Sequence, residues 1–166
     1  MEPVVAATVY ELALWLHIVA VIVGLGSTFA MVVMTPVAMN MDPTHLPYVH
    51  RVQMAINRYM ASPGLLLILA TGIFMVIDGS WDFGSFWISA AFLVVFVLGA
   101  MQGGYFIPTD RKLEQMAVAD IKASGDGPVT LSNEYMSKSR ASGIAGAVAG
   151  LLVVIVTYLM ITKPGA

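Results

Sequence analysis

The chain has 166 residues, of which 58% are hydrophobic and only 11% charged. Soluble domains carry roughly 25% charged residues, so the composition excludes an ordinary soluble protein and places the chain in a membrane. The net charge of −2 is small, and there is no cysteine, which excludes disulfides, thiolate metal sites and cysteine nucleophiles.

A helix needs about 20 apolar residues to cross the bilayer core. Four segments meet that length: about 10–35, 59–77, 86–107 and 139–162. The first ends at Pro36 and is too long for a signal peptide; no basic flank precedes it and no small-residue cleavage site follows. It reads as a retained membrane helix. Between spans one and two, "TPVAMNMDPTHLPYVHR" carries prolines at 36, 43 and 47 and reads as a loop turning helical near Tyr48. The lead-in from Tyr48 to Met60 is expected to continue as helix through Pro63 with a kink. Span three is expected to end before Pro108. "PTDRKLEQMAVADIKASGDGP" then reads as a short amphipathic helix on Leu113, Met116, Ala117 and Ile121. Ser132 to Arg140 extends span four. The reading is all-α: a single four-span membrane domain over 1–166, without internal repeat or second domain.

Seven of the eight basic residues lie on one side of these spans: Arg51, Arg58, Arg111, Lys112, Lys122, Lys138 and Arg140. Lys163 alone lies on the other. The positive-inside rule puts the seven in the cytoplasm and both termini outside. The "DGSWDFGS" loop at 78–85, whose only charges are acidic, then also lies outside. Trp15, Trp81, Trp87, Tyr10 and Tyr158 fall near the outer interface, and Tyr48, Tyr59, Tyr105 and Phe106 near the inner one, as aromatic belts do.

Helices in lipid associate by close packing of small residues. Span one has Ala13, His17, Ala20, Gly24 and Thr28 on one face. Span three has the pairs Gly99/Gly103 and Ala100/Gly104. Span four has two ladders, Ser139/Gly143/Ala147 and Ser142/Gly146/Gly150. Two small faces on one helix exceed what a single neighbour needs, so a homodimer or a larger membrane complex is an expectation beside plain bundle packing.

His17 is the one titratable side chain deep in a span, about seven residues and roughly 10 Å below the outer edge. The mid-span absence of Asp, Glu, Lys and Arg argues against proton pumps and ion relays, which need titratable groups in series. A neutral imidazole can ligate haem iron, and the small neighbours Ala13, Ala20 and Gly24 leave room for a macrocycle. Depth counting puts Thr71 and Thr157 at the level of His17, with Met75 and Met160 nearer the surface. The alternatives are haem b on His17, with Met75, a partner's histidine or nothing in the sixth position; a hydrogen bond from His17 to Thr71, Thr157 or a backbone carbonyl; or contact with lipid or quinone. His45 and His50, with Asp42 nearby, lack the spacing of a metal site and read as ordinary polar loop residues. Met31, Met34, Met39 and Met41 are thioethers that could bind Cu(I), or apolar filler. "NRY" at 57–59, with Arg51, forms a basic rim suited to anionic lipid headgroups. Gln102, Tyr105 and the glycines 103–104 could line a small cavity. No nucleophile triad, phosphate loop or carboxylate pair is present, "GLGSTFA" at 24–30 has no strand before it, and no feature points to nucleic acid.

The stretches "YELALWLHIVAVIVGLGSTFAMVV", "NRYMASPGLLLILATGIFMV" and "VTYLMITKPG" resemble a family of predicted bacterial four-helix integral membrane proteins of unknown function, over nearly the whole chain. The first helix is also distantly similar to the copper-resistance D and HemJ-type protoporphyrinogen oxidase membrane families. That resemblance implies haem or porphyrin binding at His17 and reaches no other residue. The HemJ-type proteins also use an intramembrane lysine, which this chain lacks. The functional expectation is a non-enzymatic accessory or structural subunit of a membrane or redox assembly, binding haem b through His17. The alternatives are an enzyme of haem or porphyrin metabolism, or a small transporter or copper-handling protein.

Overall fold

In a computed structural model, which describes residues 8–165, the chain forms four long helices and, among the described residues, no strand. Helix α1 spans Val9–Met41, α2 Pro43–Asp78, α3 Phe86–Ser124 and α4 Asn133–Thr162. Each is long and apolar enough to cross a membrane. The chain is a multi-pass integral membrane protein. Residues 1–7, which bear on where the N-terminus lies, are outside the described residues.

At 30 to 39 residues the helices exceed the length a bilayer requires. The excess projects from the end that carries the basic residues, here the basic end; the opposite, terminal end holds Val9, the 79–85 turn and Lys163. Three apolar layers stack along the bundle. Val76, Trp87 and Ile88 form the layer at the terminal end. Ala20, Leu25, Ile68, Val95, Leu98 and Val153 form the middle. Ala38, Leu46, Val49, Leu113, Ala117 and Tyr135 form the layer at the basic end.

The prolines break the helices less than their positions suggest. Span one does not stop at Pro36: α1 runs through it to Met41. Proline removes one backbone donor, and a neighbouring helix can brace the weakened turn. Gln53 of α2 packs beside that turn, donating from Nε2 to the Met31 carbonyl and to Thr35 Oγ1, both at 3.1 Å. The expected loop between spans one and two shrinks to a corner at Asp42. Its backbone is extended, and its carboxylate accepts from Thr44 N at 2.9 Å and Thr44 Oγ1 at 2.7 Å. Pro43 and Pro47 then occupy first-turn positions, where a missing donor costs nothing.

Pro63 and Pro108 lie inside continuous helices for a shared reason. Each follows a π turn, Asn57–Ala61 and Gln102–Phe106 respectively. In such a turn the backbone bonds skip five residues, and the widened helix accommodates an interruption. The amphipathic segment after Pro108 is therefore the projecting end of α3 and not a separate short helix. Its apolar residues Leu113 and Ala117 are fully buried in the basic-end layer. A third π turn, Val21–Leu25, adjoins the tightest helix crossing. There Gly24 meets Gly64: a Cβ on Gly64 would lie 2.6 Å from the Gly24 Cα. Only two glycines permit that approach.

Helix α4 starts at Ser132, whose hydroxyl accepts from Tyr135 N, and ends at Lys163 in the left-handed conformation. Gly150 meets Phe29 and Gly146 meets Val32, so one of its small ladders packs on α1. The other does not: a Cβ on Gly143 would meet nothing within 4 Å.

Candidate functional site

Among the described residues, a cavity lies between the helices on each side of the middle apolar layer. Each contains a buried histidine.

The larger cavity, about 650 Å³, occupies the basic half of the bundle between α1 and α4. It lies on the basic side of the Gly24–Gly64 crossing of α1 and α2, and Gly143 of α4, where a Cβ would meet nothing within 4 Å, is part of its wall. Its walls are largely apolar (Leu25, Met31, Val32, Leu65, Leu98, Val153), with Gly143 and Ala147 along one side. Polar groups gather at its basic end: His50, Gln53, Asn57, Gln102, Asp110 and Arg140. They form one network. His50 is 1% exposed. Its Nε2 lies 2.9 Å from Tyr135 Oη, its Nδ1 lies 3.2 Å from Gln53 Oε1, and the Asp110 carboxylate is 3.9 Å away. Asn57 donates to Asp110 at 3.5 Å. Gln102 donates to the Asn57 carbonyl at 3.0 Å and to Ser62 Oγ at 3.1 Å. The Asn57 carbonyl belongs to the π turn, which also accepts from Ser62 Oγ at 2.9 Å. Buried polar groups need partners, and both ring nitrogens of His50 have them. Tyr135 is fully buried, and burial, reinforced by the Asp120 and Asp110 charges, pushes its phenol up to about 12.

Sequence reasoning put His50 in a loop and missed this site. The network joins positions 53, 57, 102, 110 and 135, from three helices, and only helices running unbroken past Pro47 and Pro108 bring them together. The available signal was the four-residue spacing of Gln53 and Asn57 behind His50, which puts polar side chains on one helical face. His45, by contrast, is exposed and pairs with Asp42 at 3.2 Å. No cluster of three or more metal-binding His, Asp or Glu side chains occurs among the described residues.

The smaller cavity, about 200 Å³, lies in the terminal half and is lined by His17, Met75, Trp81, Trp87, Phe92 and Met160, among others. His17 is 5% exposed. Its Nδ1 lies 2.8 Å from Thr71 Oγ1. The Thr71 hydroxyl donates to the Leu67 carbonyl at 2.6 Å, so its lone pair accepts from His17 Nδ1–H. In the tautomer that matches this arrangement Nε2 is unprotonated; it is buried with no hydrogen-bond partner in the chain. Trp87 Nε1 on the same cavity wall is also buried without a partner. At the rim, the Lys163 ammonium lies 4.5 Å from the Trp81 ring centre. The turn that folds Trp81 inward has Ser80 at φ 53° and Gly79 so close that a Cβ there would lie 2.7 Å from the indole.

Thr71 thus stands where depth counting puts it. Thr157 does not reach His17; its hydroxyl donates to its own helix at the Val153 carbonyl, 2.8 Å away. Met75 and Met160 share the His17 cavity. Gly24 adjoins Gly64 and leaves no room for a macrocycle. An unprotonated Nε2 whose other nitrogen is held by a hydroxyl has the chemistry of a haem ligand. The space does not match: about 200 Å³ is below the roughly 300–1,000 Å³ of pockets that enclose drug-sized ligands, and a haem is larger than most of those. Within one chain, packed as it is, haem b does not fit at His17. Met34 and Met39 pack against the basic-end layer as apolar filler.

No curated protein and no solved structure matches this chain. The family described as predicted integral membrane protein (DUF2269) matches residues 11–164, consistent with the four apolar helices. The chain belongs to that family of integral membrane proteins.

Proposed function

We propose that this protein is a non-enzymatic accessory protein of the bacterial inner membrane that holds a lipid-derived amphiphile in its larger cavity. The basic end faces the cytoplasm, and the termini face outward. The observation that carries the reading is the cavity's composition. It has the volume of a ligand pocket, apolar walls, and a few convergent polar groups at one end, the pattern expected of a built binding site. The apolar body of the ligand lies along Gly143 and Ala147 of α4, and its polar head meets Gln53, Asn57 and Arg140. The small residues of α4, readable as a dimer face, here make room for the ligand. Arg51, Arg58 and Tyr59 hold the rim against anionic headgroups; Arg58 already lies 5.7 Å from the Tyr59 ring centre.

The test fills the cavity. Gly143 lines the cavity and a Cβ there would meet nothing within 4 Å, so Gly143→Phe adds a ring at an open position of its wall. Native mass spectrometry of protein released from bilayer nanodiscs should show one retained lipid-sized adduct on the parent chain and none on Gly143→Phe, with unchanged helical circular dichroism. An adduct that survives Gly143→Phe, or a parent chain released as a dimer without adduct, would overturn the reading; the dimer would assign the α4 face to a second copy.

A further inference from the structure

The smaller cavity makes a demand that the protein itself does not meet. His17 and Trp87 both line the cavity and are more than nine-tenths buried, and neither His17 Nε2 nor Trp87 Nε1 has a partner in the chain. They are chemically opposite. In the tautomer that matches the Thr71 bond Nε2 is an acceptor, and an indole nitrogen is a donor only. They cannot relieve each other unless they meet, and no bond joins them. A hydroxyl group both donates and accepts, so it is the smallest organic group that satisfies both.

The remaining walls specify what carries the hydroxyl. Trp81 and Phe92 present aromatic surfaces, and Met75 and Met160 present thioethers, which favour ring edges. The volume specifies the size. A dry cavity of about 150 Å³ accepts one benzene ring, and this one, at about 200 Å³, accepts one ring with substituents. We propose that the pocket binds the phenol or hydroquinone ring of a membrane-soluble molecule. A ring hydroxyl donates to His17 Nε2, and a ring oxygen accepts from Trp87 Nε1–H. Trp81, held down by Lys163, covers the ring. Thr71 is a positioning residue: it fixes the imidazole tautomer without touching the ligand. This inference is independent of the amphiphile in the larger cavity.

The probe pair is 4-propylphenol and 4-propylanisole, which differ by one hydroxyl hydrogen and a methyl. They are titrated into the full-length protein in phosphatidylcholine nanodiscs. The readout is the indole N–H resonances of ¹⁵N-tryptophan-labelled protein, with Trp87 assigned by its disappearance in Trp87→Phe. The phenol should shift the Trp87 signal saturably and bind at least about tenfold more tightly than the anisole, the discrimination expected when one buried hydrogen bond goes unmade. His17→Phe should abolish that preference. Should that variant fail to fold, Thr71→Val removes the tautomer lock while keeping the side-chain shape, and should reduce the preference severalfold. Equal binding of phenol and anisole, or no saturable shift of Trp87 because water alone satisfies both groups, would overturn the proposal.

Discussion

The two buried histidines occupy opposite halves of one bundle and differ in a single respect. At His50 both ring nitrogens have partners supplied by the protein, and the surrounding network closes on itself through Gln53, Tyr135 and Asn57. At His17 one nitrogen is held by Thr71 and the other has no partner in the chain, and the indole nitrogen of Trp87, which lines the same cavity, also has none. A closed polar network specifies structure, because every group in it depends on the others. An open one leaves a buried group whose hydrogen bond something outside the chain must supply. The sequence singles out His17 by its depth, as a ligand or a structural hydrogen-bonder, and reads His50 as an ordinary loop residue. Hydrogen-bond satisfaction, not depth in the membrane, separates the two roles.

The largest expected effect falls on the crossing that both halves share. Gly64→Leu drives a side chain into the Gly24 backbone, where even a Cβ would sit at 2.6 Å. It should cost 3 kcal/mol or more, at or above the upper end of the roughly 1–3 kcal/mol range for overpacking. Loss of the monodisperse peak in detergent would show it, and a variant as stable as the parent would break the account of that crossing.

The comparison itself is sharpened by truncating each histidine. His50→Phe strands Tyr135 and Gln53 in a buried site and should destabilise by roughly 2–4 kcal/mol. His17→Phe loses one bond and leaves Thr71 donating to its own helix, so its cost should be only about 1 kcal/mol. Equal losses in thermal or denaturant unfolding would erase the distinction between a closed and an open network.

A pH step should mark the closed network alone. Burial raises the Tyr135 phenol from 10.0 to about 12 in the folded protein. A folded pKa above the unfolded one gives stability that is complete below pH 10 and is lost as pH rises through 12. The loss should be of order 1–3 kcal/mol across that window. Tyr135→Phe should flatten the step while leaving other alkaline effects in place, as read from melting temperatures at pH 9 to 12.

The smallest effect belongs to the helix end farthest from the polar network. Thr8 and Glu11 form a reciprocal capping box at the start of α1, with Thr8 N donating to Glu11 at 2.7 Å and Glu11 N donating to Thr8 Oγ1 at 3.2 Å. Thr8→Ala should cost roughly 0.5–1 kcal/mol and leave both cavities untouched. A larger loss in unfolding, or a changed phenol affinity, would couple this cap to the smaller cavity.

The sequence by itself determined the architecture. Long apolar runs can cross a bilayer in few ways, so the four helices and the depth of His17 beside Thr71 were legible from spacing alone. It also marked Gly24 and Gly143 as close-packing residues, but not which of them would be packed. Gly24 found Gly64, while Gly143 is exposed and faces open space. Periodicity says which side of a helix a residue occupies and nothing about what stands opposite. The prolines misled for a related reason: a missing backbone donor is a local fact, while the π turns that absorb it and the Gln53 contact beside Pro36 come from the bundle. Only the tertiary structure could join His50 to Tyr135 across 85 positions, and only it could show that His17 Nε2 has no partner. A hydrogen bond made, or left open, is a relation between two parts of the chain, and the residue names carry only one side of it.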